Sequence, residues 1–162
     1  MGEIKRKRKL FSRPGKPFDK DRIEHENELI QKYGLKNKRE IWKVKSFVSK
    51  LRRRAKELIR EDKSEQEKFF EKLNKKGLGV FGIADVLALN EENILNRRLQ
   101  TFVFKKKLST TVKGARQLIV HKNVKVDGSV VNIPSFNVDK YLENSISLKV
   151  RPARKNKVEV AE

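Results

Sequence analysis

A chain of 162 residues is enough for one compact domain, or for two small ones with modest cores. Only 36% of it is hydrophobic and 38% is charged, and 41 Lys and Arg against 21 Asp and Glu leave a net charge of +20. A charge that large repels itself in a compact fold unless a polyanion neutralises it, which points to nucleic acid or an anionic membrane surface as partner. The membrane is disfavoured, because no apolar run approaches the roughly 18–20 residues of a span and the basic start leads into no apolar signal segment.

Residues 1–20 read as an irregular basic arm. Lys5 to Lys9 is an unbroken charge run, and Pro14, Gly15 and Pro17 interrupt any helix. The segment has almost nothing to bury, so it is expected to order only on phosphates. Asp21 to Tyr33 reads as a helix ended by Gly34. Asn37 opens a longer helix, with Glu40 three positions on as in a capping box. Its apolar stripe is Ile41, Val44, Val48, Leu51, Ala55, Leu58 and Ile59. Arg39, Lys43, Lys50, Arg53 and Arg54 fall opposite, and Glu40 and Glu57 are the only acids between Lys36 and Arg60, so that side is a candidate phosphate-facing surface.

Ser64 with Glu67 gives a second capping-box pattern, for a helix ending near Lys76-Gly77. A short apolar helix follows at Ile83 to Leu89, and Asn90 is placed to cap the next. Phe69, Phe70, Leu73, Val80 and Phe81 read as packing. Ile94 to Lys107 reads as one helix. After a break at Leu108-Ser109-Thr110 comes another, capped by Thr111, with Val112, Ala115, Leu118 and Ile119 on its apolar side. The period then changes to two. Val124 and Val126 alternate, Asp127-Gly128 signals a hairpin turn, Val130, Val131 and Ile133 continue to Pro134, and Ile146, Leu148 and Val150 form a further strand. Residues 151–162 have the composition of a tail.

From Arg97 to Val126 there are nine basic residues and, until Asp127, no acid. Apolar positions interleave with them regularly, so this is a folded cationic surface. Such a face suits duplex RNA, whose base edges lie in a deep narrow groove and which proteins read by backbone and shape. Few aromatics are exposed there, which disfavours stacking on a single strand. Catalysis finds no support: Gly77, Gly79 and Gly82 fit no phosphate-loop spacing, and no acid–base constellation is evident. The absence of cysteine excludes disulfides and thiolate metal sites, and His25 and His121 alone cannot make a multi-histidine site. No metal or cofactor is therefore expected. His121 reads as a helix-end hydrogen-bonding residue, and Trp42 as packing.

The run Arg97-Arg98-Leu99-Gln100-Thr101, then Ala115-Arg116-Gln117-Leu118-Ile119-Val120-His121, then Val124-Lys125-Val126-Asp127-Gly128, then Val131-Asn132-Ile133-Pro134-Ser135-Phe136, resembles the S-four RNA-binding domain. Together with Lys32-Tyr33-Gly34-Leu35-Lys36-Asn37-Lys38-Arg39-Glu40-Ile41-Trp42, it is similar to the small-subunit ribosomal S-four family in its archaeal form, over roughly residues 18–138. The resemblance implies an α+β protein: a basic arm at 1–20, a helical domain at 21–93, an S-four domain of two helices on a small, largely antiparallel sheet at 94–150, and a tail at 151–162. It implies a non-enzymatic structural constituent of the small ribosomal subunit, cytoplasmic in the ribosome. Such a protein binds ribosomal RNA at a multi-helix junction, nucleates assembly and contributes to decoding accuracy. Neighbouring ribosomal proteins, and messenger RNA where it enters the subunit, are further expected partners. The alternatives are an assembly factor of the same family, or the RNA-binding part of an RNA-modifying enzyme.

By motif match, the family's RNA-facing positions carry over to Arg98, Lys105, Thr111, Lys113, Arg116, Gln117, His121 and Lys122. The basic run adds Arg97 and Lys106, and the long helix adds Arg39, Lys43, Arg53 and Arg54. The sequence departs from the family where Lys122-Asn123 stands in place of a frequent Gly-His. Lys122 is there expected to add a phosphate contact, with altered geometry at the helix end.

Overall fold

The protein is described by a computed structural model over residues 9–149. The charge run at residues 5–8, Val150 and the tail at 151–162 lie outside the described residues. Seven α-helices come in chain order: α1 (Lys20–Tyr33), α2 (Lys38–Leu58), α3 (Lys63–Lys75), α4 (Ile83–Ala88), α5 (Glu91–Asn96), α6 (Leu99–Lys105) and α7 (Val112–Val120). Strands β1 (Val124–Val126) and β2 (Ser129–Val130), a 3₁₀ helix (Lys140–Ser145) and β3 (Ile146–Leu148) complete an α+β fold.

The long helix α2 organises the first part. One end of its apolar stripe, Ile41, Val44 and Val48, packs with Leu29 and Tyr33 of α1 and with Ile94 and Leu95 of α5. The other end, Leu51 and Ala55, packs with Leu73, Val80, Val86 and Leu89. A separate core joins Leu99 and Val103 of α6, Ala115 and Ile119 of α7, Val124 and Val126 of β1, and Val138, Leu142 and Ile146. The sheet has the order β2-β1-β3 and both pairings are antiparallel, with Lys125 facing Val130 on one side and Ser147 on the other. Asp127 and Gly128 both have positive φ, 50° and 73°, the backbone of the expected hairpin turn.

Several local expectations are corrected. The Asn37 side chain does cap α2, accepting from Arg39 N at 3.0 Å. Glu40 does not close the box, however; it accepts from Lys36 N and turns toward two arginines. Helix α3 begins before Ser64, with Asp62 at its N-cap position, so the Ser64–Glu67 box does not form. The single helix expected from Ile94 to Lys107 is interrupted at Arg97-Arg98. The segment 136–138 pairs with the backbone at this break: Leu99 N donates to Phe136 O, and Val138 N donates to Arg97 O, both at 2.8 Å. Tertiary pairing here overrides a helical pattern that is otherwise continuous. Strand β2 ends at Val130 rather than continuing to Pro134, and Ile133 is exposed. Phe81, expected in the core, is 84% exposed.

The end of the arm is irregular as expected, but it does bury something. Phe11 packs on Trp42 with ring centroids 6.0 Å apart, and Ser12 N donates to Ser46 Oγ. Arg22 takes the carbonyls of Lys16 and Pro17. Beneath them the fully buried Glu26 accepts from Trp42 Nε1 and from Arg22, both at 3.0 Å, with Lys38 Nζ at 3.6 Å. Burial pushes the Glu26 carboxyl upward, but the Trp42 and Arg22 hydrogen bonds and the nearby cations outweigh it and hold the group charged.

Candidate nucleic-acid interface

The spacing of four cations on α2 decides where they point. Arg39, Lys43, Lys50 and Arg53 recur at four, seven and three residues, so they form one stripe along the side opposite Ile41, Val44, Val48 and Leu51. All four are exposed. Arg54 is exposed too but is engaged locally. Its guanidinium reaches Glu61 at 2.9 Å and Glu57 at 3.4 Å, which removes it as a free cation of this surface.

Three arginines of the basic run turn inward. Arg97 donates to Glu143 Oε1 at 2.7 Å and to Val138 O at 2.6 Å. Its guanidinium occupies the space a side chain at position 77 would need, so a replacement of Gly77, at φ 73°, is strained and has to displace Arg97. Arg98 is only 6% exposed and donates to Glu40 Oε2 at 2.6 Å. Arg116 reaches Glu40 Oε1 at 2.9 Å. Glu40 is thus shared by arginines from two other elements and fastens α2 to the α5–α6 break and to α7. Burial pushes its carboxyl upward, but hydrogen bonds from Arg116 and Arg98, and their charges, bring it below the ordinary carboxylate range. The buried Gln100 works alongside, its Nε2 lying 3.0–3.1 Å from the carbonyls of Tyr33, Gly34 and Val112. Glu40, Gln100 and Glu143 escaped the reading of the sequence as site-building residues. The one available signal was a polar Gln100 beside Leu99 in an apolar stretch.

The remaining cations of the run face solvent. On α7 the buried residues are Ala115 and Ile119, so Lys113 and Gln117, one turn apart, lie on the opposite side, and both are exposed. Thr111 caps the helix, its Oγ1 accepting from Gly114 N at 3.0 Å. His121 follows at the helix end and is exposed; Lys105 and Lys106 close α6, the first exposed and the second half-buried. Among the described residues, Arg39, Lys43, Arg53, Lys105, Lys106, Lys113 and Lys122 make no ion pair, whereas Arg97, Arg98 and Arg116 do.

The helix ends carry a further distinction. Four helices close with a left-handed residue just past the end, and the next residue's N–H bonds back into the last turn. In α1 and α3 the left-handed residue is glycine, Gly34 and Gly77. In α6 and α7 it is lysine, Lys107 at φ 56° and Lys122 at φ 59°. A side chain in that conformation costs about 1 kcal/mol or more; the altered geometry expected at the end of α7 is corrected, because Lys122 keeps the left-handed cap that glycine forms in α1 and α3. Both lysines are exposed and unpaired among the described residues, so the strain yields a cation presented at a helix end. Lys122→Gly is therefore expected to raise the unfolding free energy by about 0.5–1 kcal/mol. The same change should flatten the salt dependence of RNA binding by about 0.7–0.9 in log–log slope. Thermal melts and salt titrations of this one variant check both, and a variant less stable than the parent would show that the lysine is not strained.

Among the described residues no three His, Asp or Glu side chains are grouped to hold a metal ion, and no helix is long and apolar enough to cross a membrane. The chain matches the S4 domain over residues 97–141. It is also similar over most of its length to curated proteins called small ribosomal subunit protein uS4. The one from Picrophilus torridus is 45% identical, covering 91% of this chain and 85% of that protein. The one from Saccharolobus solfataricus is 41% identical, covering 97% and 91%. The one from Methanococcus aeolicus is 44% identical, covering 91% and 87%.

Proposed function

This chain belongs to the uS4 family of small ribosomal subunit proteins, and from that premise we propose that it binds small-subunit ribosomal RNA through the cations of α2, α6 and α7 and through the lysines at the ends of α6 and α7. Its role is structural rather than enzymatic, in keeping with relatives that are ribosomal proteins. The observation that carries the reading is the division of the basic residues. Arg97, Arg98 and Arg116 are ion-paired within the framework, while Lys105, Lys113 and Lys122 stand exposed on it and, among the described residues, unpaired. A rigid framework carrying unpaired cations is suited to the backbones of RNA helices held in a fixed mutual arrangement.

Lys106, Gln117 and His121 belong to this face, as do Arg39, Lys43 and Arg53 of α2. Thr111 contributes by capping α7, and Arg97, Arg98 and Arg116 act from beneath. The finer parts of the role rest on the family resemblance: recognition of a multi-helix junction, early binding that nucleates assembly, an influence on decoding accuracy, and contact with messenger RNA where it enters the subunit.

Chemical footprinting of naked small-subunit ribosomal RNA with the purified protein tests the reading. The expected result is a cluster of protections around one multi-helix junction, with unrelated transfer RNA bound much more weakly. Equal affinity for the two RNAs, or protections scattered along the transcript, would refute a specific ribosomal role. Recovery of the chain in salt-washed mature subunits distinguishes a resident protein from an assembly factor.

A further inference from the structure

A cleft of about 460 Å³ opens where α2 meets the α5–α6 break, α7 and the turn at 134–137. We propose that this cleft receives one nucleotide of the bound RNA, splayed out of its helix, with its phosphate on Lys43 and the two arginines that share Glu40 and its base against Phe47.

The charges favour an anion. Lys43, Arg98 and Arg116 line the cleft, and Glu40 is the one carboxylate among the lining residues, leaving an excess of two positive charges. Arg98 is more than nine-tenths buried, and while its Nη2 is bonded to Glu40, its Nη1 has no acceptor. An unmade hydrogen bond on a buried guanidinium is expensive. A small rotation about the Glu40 contact would offer that group to a phosphate oxygen, which guanidinium forks bind well.

The size and the walls favour more than a phosphate. A cleft of this volume falls in the range that encloses a small organic ligand, and an inorganic anion would leave most of it open. Phe47, half-buried on α2, supplies an aromatic wall, and the exposed Ser135 and Asn137 supply polar groups at the opposite rim. RNA junctions and bulges provide unstacked bases, which proteins commonly take up on an aromatic surface and read along their edges. This is a base contact distinct from the phosphate contacts of the lysine face. It rests on the RNA-binding reading above.

The test uses the full chain and small-subunit ribosomal RNA transcribed with 4-thiouridine, cross-linked by light and mapped by mass spectrometry. Binding of the parent protein to the RNA is measured first; if it fails, the RNA-binding reading fails with it. With binding intact, links are expected to peptides containing Phe47 or residues 134–137. Ser135→Trp, an exposed position whose bulk would fill the cleft, is expected to abolish those links and weaken binding about tenfold. Its melting temperature should stay unchanged, and its salt slope should fall by about 0.7–0.9, because the phosphate contact in the cleft is lost with the base. Should that variant melt early, Lys43→Met replaces it, with the same loss of links expected. Parent protein that binds the RNA but gives no link at the cleft, or a folded Ser135→Trp variant with parental affinity, would overturn the proposal.

Discussion

Glu40→Ala is expected to destabilise the protein by about 3 kcal/mol or more. The carboxylate is the shared acceptor of Arg98, at 2.6 Å, and Arg116, at 2.9 Å, and it is mostly withdrawn from water. Removing one partner of a buried ion pair leaves the other as an uncompensated charge, which costs about 3–5 kcal/mol in comparable settings. Here two guanidiniums would be left facing each other. Glu40→Gln keeps an oxygen acceptor and the packing but not the charge, so it should fall between the parent and the alanine variant. Urea unfolding of the three proteins measures this. A loss below about 1 kcal/mol for Glu40→Ala would show that α2 and α7 are held by apolar packing alone.

The same contact makes stability depend on acid. Glu40 and Glu26 both have carboxyl pKa values lowered by folding, so each binds a proton more readily in the unfolded chain. Their contribution is complete above the ordinary glutamate range, at about 4.3. It is lost progressively as the pH falls below that range and through the lowered folded values.

Much of the framework was legible in the sequence because it rests on periodicity and on local chemistry. The stripe Ile41, Val44, Val48, Leu51, Ala55 and Leu58 is the buried face of α2, Thr111 does cap α7, and Asp127-Gly128 does turn the hairpin. What was not legible depends on partners distant in sequence. The break at Arg97-Arg98 is imposed by residues 136–138, about forty positions away, and no local pattern announces it. The destination of each basic residue is likewise a tertiary fact. Arg98, Lys105, Lys113 and Arg116 are alike as cations in a motif, yet two are ion-paired to Glu40, more than fifty positions earlier, and two are exposed. Glu40 itself looked like a capping residue because its spacing from Asn37 fits a capping box. Its carboxylate reaches farther, and two cations hold it better than one backbone N–H.

The division between fastening arginines and exposed lysines sets how RNA binding depends on salt. Replacing Lys105, Lys113 and Lys122 together by alanine removes three exposed cations and no ion pair among the described residues. If each meets a phosphate, each releases bound counterions, and the slope of log affinity against log salt should fall by about 0.7–0.9 per contact, or about 2–3 in all. At 0.1 M salt, one decade below the 1 M reference, that is a loss of about two to three orders of magnitude in affinity. The melting temperature should stay within a few degrees of the parent. The most direct measurement is therefore the affinity of the parent and of this triple variant for naked small-subunit ribosomal RNA across a salt series. The expected result is a slope shallower by about 2–3 in a protein that is still folded; a folded variant with the parental slope would show that these lysines meet no phosphate.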